Sequence, residues 1–429
     1  MSVGSGLALG LSMARHYSAL LWVLATTFTG CISAWIMILT MPWFVIATTG
    51  SASHAGMVVF AELAPYVVVR FLAGPVVDRV GLRRTSWMAG VVGTISVTLI
   101  AVLLVMDMLT YPALLALIAL IGAVDGAGSL AKRFLAPEAA KYVGVAEGRG
   151  ISLSSAMVTV GRVFGPSIGA FLVAMEPVVG LAVVALLSTV SCLIVGLALP
   201  SGMEPGRVNA GHGEEEQGYW RSLGQGIGHF RRDGLLVRLY VMLGLMSFLL
   251  APMTSVFLPS WALETDAGPG AIGALLSTAA VASCIGSAVA VTLVERVRSW
   301  VILIVGYFLV VAQLPALALD APMWLAMVAW AVAGFAGAFI EPVIGKITYS
   351  RPPEEFRSRV SSVGGSLAAS GSALGGLVAG QVVERFGLTV PLLAASVLYL
   401  AVALGTVLRK DMRELTPKIR GDRPEEAPQ

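Results

Sequence analysis

The stretch Gly74-Pro75-Val76-Val77-Asp78-Arg79-Val80-Gly81-Leu82-Arg83-Arg84 lies between two long apolar segments. Only 12% of the chain is charged, yet Asp78, Arg79, Arg83 and Arg84 crowd onto this one turn. A turn so short is no domain, and this much charge beside apolar segments belongs at a membrane surface. The arginines hold it at the cytoplasmic side, Gly74 lets helices approach closely, and Asp78 can accept from the N-terminus of a neighbouring helix, here near Ser361. An ordinary basic loop would account for the arginines but not for Asp78 or the spaced glycines Gly74 and Gly81.

Hydrophobic residues make up 57% of the 429, and mean hydropathy is +0.86. Apolar runs near twenty residues recur along the whole length, as in a polytopic all-α membrane protein. Twelve transmembrane helices are expected, near 18–46, 55–77, 85–106, 111–136, 150–174, 178–199, 236–261, 271–294, 300–318, 322–347, 361–382 and 389–408. The net charge of +3 implies no nucleic-acid partner, because the basic residues act as orientation signals. No signal peptide is read in residues 1–18, so the first span does the targeting. Cys31, Cys192 and Cys284 sit apart in apolar runs, without disulfide or metal-ligand spacing. His16, His54, His212 and His229 fall at or beyond span ends, which leaves no metal site and no histidine relay within the membrane.

With both termini inside, Arg79, Lys141, Arg149, Arg221, Arg296 and Arg357 all fall on the cytoplasmic side, and Arg385 alone falls outside. The composition shifts at residues 200–235, a polar linker containing Glu214-Glu215-Glu216. It divides a six-helix bundle over 1–199 from a second over 236–409, followed by a tail over 410–429. Within the linker, Tyr219, Trp220, Leu223, Ile227 and Phe230 recur at helical spacing beside arginines, as on a helix lying at the inner leaflet, or else the segment is disordered. A shift of 210 residues superposes Arg149, Gly161 and Gly165 on Arg359, Gly371 and Gly375. Internal duplication about a flexible centre is the footprint of two pseudo-symmetric bundles that rock around a midplane site.

The charged turn resembles the signature loop between helices 2 and 3 of the major facilitator superfamily. Gly161-Arg162-Val163-Phe164-Gly165-Pro166-Ser167-Ile168-Gly169 in span 5 is similar to the helix 5 motif of that superfamily's antiporters, where Gly161, Gly165, Pro166 and Gly169 would help seal the bundle. Its expected partner is span 8, with Gly273, Ser277 and Gly286. Residues 47–51, Glu62-Leu63-Ala64-Pro65 and 353–359 look similar to the bacterial multidrug, macrolide and siderophore exporters. The resemblance implies an inner-membrane monomer exporting a small amphipathic molecule by proton antiport, with the proton gradient in place of any cofactor. Two departures weaken the transfer: span 1 reads Gly30-Cys31-Ile32-Ser33 where an acid is common, and the usual arginine of helix 4 is displaced.

Glu62 and Arg70 in span 2, Asp125 in span 4, Arg162 in span 5 and Glu341 in span 10 are ionisable within the membrane. Each costs about 2.5 to 3.5 kcal/mol to insert, which makes it a functional candidate. Asp125 and Arg162 reach one depth on neighbouring helices, either as a proton-coupling carboxylate with its counter-charge or as a permanent ion pair. Glu62 is a proton entry group or a packing residue, and Glu341 matches Asp125 under a shift of 216. Lys132 and Arg133 are expected to snorkel to the inner surface. Trp35 and Met37, Met246, Phe248 and Met253, and Trp324, Met327, Trp330 and Phe339 are soft groups that either wall a substrate cavity or face lipid and neighbouring helices. The readings left are an exporter, an importer of the same fold or, remotely, a membrane-embedded enzyme or receptor. No His-Glu-x-x-His is present, and Gly165-Pro166-Ser167-Ile168-Gly169, although it reads Gly-x-Ser-x-Gly, falls inside the apolar span 5 and not between a strand and a helix, so no enzyme is expected.

Overall fold

A computed structural model describes residues 3–199, 228, 230, 233–293, 296–350 and 357–407, and these form helices and turns with no strand. The first half contains α1 (Val3–Thr49), α2 (Ala52–Leu72), the short α3 (Gly74–Val80), α4 (Leu82–Val105), α5 (Tyr111–Tyr142), α6 (Glu147–Met175) and α7 (Pro177–Leu193). The second contains α8 (Gly234–Leu250), α9 (Leu258–Glu264), α10 (Gly268–Leu293), α11 (Ser299–Val311), α12 (Gln313–Ala318), α13 (Met323–Ser350), α14 (Arg357–Phe386) and α15 (Thr389–Val407). Among the described residues, eleven helical stretches are long and apolar enough to cross a membrane, and Thr389–Gly405 forms a shorter twelfth apolar helix. Two stretches are joined by π-helical turns: Ile194–Ala198 extends α7, and Met253–Phe257 links α8 to α9.

Packing divides the chain into two compact units. The first holds α1–α7 with Thr254–Gly273 and Gly376–Gln381, and the second holds α8, Ala274–Gly375 and the described residues from Val382 on. Most of the expected linker, including Tyr219, Trp220, Leu223 and Ile227, lies outside the described residues, as do His212, His229 and the tail over 410–429. Phe230 is described and does not face lipid. It is buried against Leu236 and Tyr240, with ring centroids 5.6 Å apart from the latter.

Glycine sets the helix spacing in both units. On α6, a Cβ added to Gly161 would stand 2.8 Å from the Cys31 Sγ, one on Gly165 2.5 Å from the Trp35 Cβ, and one on Gly169 3.2 Å from the Ile36 Cα. Within the first unit the helix 5 motif therefore closes on α1. Of the span 8 residues expected there, Gly273 lies in the first unit beside Ala170 and Phe171 of α6, and Gly286 packs in the second on Phe335 and Ala338 of α13. The second unit repeats the device: Gly371 and Gly375 of α14 sit on the Gly244 and Phe248 carbonyls of α8. The glycine register read from the 210-residue shift thus corresponds to two equivalent helix seams. Gly122 and Gly126 of α5 likewise sit on the α2 backbone at Glu62 and Tyr66.

The charged turn is helical as far as Val80, and Gly81 ends it at φ 93°, where a side chain would be strained. Val77 and Leu82 anchor it in a core with Leu20, Leu135 and Val195. Arg83 reaches the end of span 6, donating from Nε to the Val195 carbonyl at 3.3 Å and from Nη2 to the Gly196 carbonyl at 2.7 Å. A cation there also meets the negative end of the helix dipole. Arg79 and Arg84 are exposed, and the Asp78 side chain, like Ser361's, lies outside the described residues.

Gly126→Leu forces side-chain carbons into the α2 backbone, so a loss of about 1 to 3 kcal/mol is expected, read as a lowered melting temperature in detergent. Gly337→Ala, which meets nothing within 4 Å, leaves it unchanged. Arg83→Met strands two carbonyls and lowers stability by about 1.5 to 3 kcal/mol, and Arg83→Lys recovers only part because it cannot span both acceptors. Equal melting of Arg83→Met and wild type would contradict the capping role.

Candidate functional site

Two hydroxyl pairs clamp α1 to α7 inside the first unit. The Thr26 and Ser191 Oγ atoms are 2.6 Å apart, and those of Ser33 and Ser188 are 2.9 Å apart. Thr26 also donates to the Ser191 carbonyl at 3.2 Å and Ser33 to the Val184 carbonyl at 3.3 Å. Thr26 and Ser33 are seven residues apart, about two turns, so both face α7. Gly30 lies between them and contributes no side chain. A Cβ there would meet the Lys132 Nζ at 3.0 Å and the Ser191 Oγ at 3.7 Å.

Lys132 thus reaches inward from α5 to the gap at Gly30. This overturns its expected position at the inner surface, whereas its neighbour Arg133 is exposed. It lines a chamber of about 60 Å³ with Gly30, Ser33 and Met37 of α1, Glu62 of α2, Gly90 and Thr94 of α4, Asp125 of α5, and Ser188 and Ser191 of α7. That volume has room for a small cluster of water molecules. The Thr94 Oγ1 is buried and has no hydrogen-bond partner among the described residues.

Asp125 and Glu62 are held together by the α2–α5 seam. Because Gly122 and Gly126 flank Asp125 and rest on Glu62 and Tyr66, the two carboxylates share one wall of the chamber. Each carboxylate lies in the field of the other or of Lys132: Asp125 acts on Glu62, and Lys132 acts on Asp125. Arg162, expected as the counter-charge of Asp125, is half-buried and acts on Cys31 of α1. Glu62 and Arg70 do not pair, in line with their spacing. Arg70 donates to the Tyr66 hydroxyl and lies 5.5 Å from that ring's centroid, while Ser129 donates to the same hydroxyl at 3.4 Å.

Glu341 is exposed on α13 in the second unit. Met246 and Trp330 are buried, Phe248 and Met327 are half-buried, and Phe339 packs against Phe335 with centroids 5.2 Å apart. Trp324 is 66% exposed at the start of α13, a position for lipid or its interface. Trp35 packs on Gly165. None of these aromatic or methionine residues lines the chamber, although Met37 does. Lys132 is the member that sequence reasoning missed. Its signal was its position two turns below Asp125, opposite a helix whose facing residue is glycine.

A family model described as Major Facilitator Superfamily matches residues 23–268 and 241–428. The multidrug efflux pump Tap of Mycobacterium tuberculosis is 29% identical over 410 residues, covering 91% of this chain and 93% of that protein. The pump of the same name from Mycolicibacterium fortuitum is 26% identical over 400 residues, covering 92% and 97%. Among solved structures, the nucleoside transporter NupG superposes with a TM-score of 0.71 at 14% identity, covering 91% of this chain and 98% of that one. A bacterial homologue of the human lysosomal transporter Spinster, inward-facing and unoccupied, gives 0.70 at 13%, covering 94% and 98%. At these identities the structural likeness speaks for the fold alone. The family match runs over nearly the whole length and agrees with the repeated helix seams: the chain belongs to the Major Facilitator Superfamily and is a membrane transporter, not an enzyme.

Proposed function

We propose that the protein exports a small amphipathic organic molecule by proton antiport, working as a monomer in the bacterial cytoplasmic membrane with both termini inside. The observation that carries this reading is the chamber in the first unit, where Asp125 and Glu62 stand together within the membrane-spanning helices. Ionisable groups at such depth are retained for ion pathways and proton relays. The direction is supported by the relatives, which are named efflux pumps, and by the antiporter-like motif on α6. One solved structure of the same fold is named a nucleoside transporter, but its identity is about half that of the pumps.

In this reading Asp125 takes up a proton when its surroundings open to the outside and releases it when they open to the cytoplasm. Alternating access does this by changing the water and charge around the carboxylate, which shifts its proton affinity between the two conformations. Substrate binds in the complementary step, so the proton gradient drives it uphill.

Proteoliposomes with an imposed pH gradient test this, with ethidium as an amphipathic probe. Asp125→Asn mimics the protonated form, so uphill ethidium movement is lost while downhill exchange persists within a few-fold of wild type. If Asp125 belonged to a permanent ion pair, removing it would cost about 3 to 5 kcal/mol and give poorly folded protein, rescued by neutralising the partner. Normal uphill movement in Asp125→Asn with loss in Glu62→Gln or Glu341→Gln would transfer the role to that residue.

A further inference from the structure

Two carboxylates and one ammonium line the chamber: Glu62, Asp125 and Lys132. With both carboxylates ionised their sum is −1, and with one proton bound it is zero. Asp125 is exposed and Glu62 half-buried, so burial alone does not decide their state, but two carboxylates on one wall disfavour each other's ionisation, and a single proton between them is the favoured state near neutral pH. The geometry points to Lys132 as a tethered counter-cation that fixes this count, leaving Glu62 and Asp125 to hold one proton between them.

Several observations place Lys132 in that role. Its ammonium end occupies the gap that Gly30 leaves in α1, between the Thr26–Ser191 and Ser33–Ser188 pairs. It acts on Asp125 across the chamber and on Cys31 and Cys192 at its sides. Among the described residues, no other charged side chain from the helices packed against α5 lines the chamber. On α2, Arg70 is bonded to Tyr66. Arg79 of α3 is exposed, and Arg162 of α6 acts on Cys31. From α4 the chamber receives only Ala89, Gly90, Gly93, Thr94 and Val97, none of which titrates.

Without Lys132 the carboxylates lose a neighbouring cation and hold their proton more tightly. Release should then require more alkaline conditions. This assignment rests on the transport reading for its purpose but not for its test.

The test is infrared difference spectroscopy of the purified protein in lipid, following the carbonyl band of protonated carboxylic acids through a pH titration. Wild type should show a band near neutral pH that weakens in both Glu62→Gln and Asp125→Asn. In Lys132→Met its midpoint should move to higher pH by about one unit or more, the scale on which a neighbouring charge acts. Gly30→Ala provides a second variant, because its new methyl would push the flexible Lys132 tip aside with little effect on folding. Its midpoint should move the same way by a smaller amount. An unchanged midpoint in both variants, or a wild-type band unaffected by Glu62→Gln and Asp125→Asn, overturns the assignment. Ethidium transport in the same preparations separates the two claims. A shifted midpoint without proton-driven transport in wild type would refute the antiport reading and leave Lys132 as counter-cation. An unshifted midpoint with intact proton-driven transport would do the reverse.

Discussion

Close approach of helix backbones through glycine is the constraint on which the rest depends. In a bilayer there is little hydrophobic force between helices, so they associate by van der Waals packing and interhelical hydrogen bonds. Here Gly161, Gly165 and Gly169 bring α6 onto α1, Gly122 and Gly126 bring α5 onto α2, and Gly371 and Gly375 bring α14 onto α8. The positions of side chains between those glycines follow. Asp125 is fixed beside Glu62 because residues three before it and one after it lack side chains.

The same economy of side chains makes room for charge. Gly30 leaves a gap in α1 that the Lys132 ammonium fills, and the hydroxyls around it supply polar surroundings. A lysine is suited to such a position because its charge is compact and its stem flexible, whereas an arginine needs a planar fork of acceptors. Arg83 illustrates the contrast, since its guanidinium spans two adjacent carbonyls at the end of span 6. One cation holds a turn, and the other stands beside two carboxylates in an open chamber.

The fold was legible because its determinants are local in the sequence. Apolar runs gave the spans, and the spacing of Gly161 and Gly165 against Gly371 and Gly375 gave the repeat. A glycine records that something comes close, not which helix it is: the helix 5 glycines meet α1 within the first unit, a seam the sequence did not name. The carboxylates Glu62 and Asp125 were visible as ionisable residues in apolar surroundings. The cation that accompanies them was misjudged from depth alone. Lys132 lies near enough to the end of α5 to reach water, and only the missing side chain at Gly30, more than a hundred residues earlier, shows why it turns inward instead.

Three side chains together set the chamber at one proton. The most direct measurement is a difference potentiometric titration in detergent, comparing wild type with the Glu62→Gln, Asp125→Asn double variant. The account predicts that wild type releases about one more proton per chain than the double variant as the pH rises from neutral through the midpoint of the carboxylic-acid band, since only one proton is held between the two carboxylates beside Lys132. Superimposable curves through that range, or a difference of two protons, would contradict it.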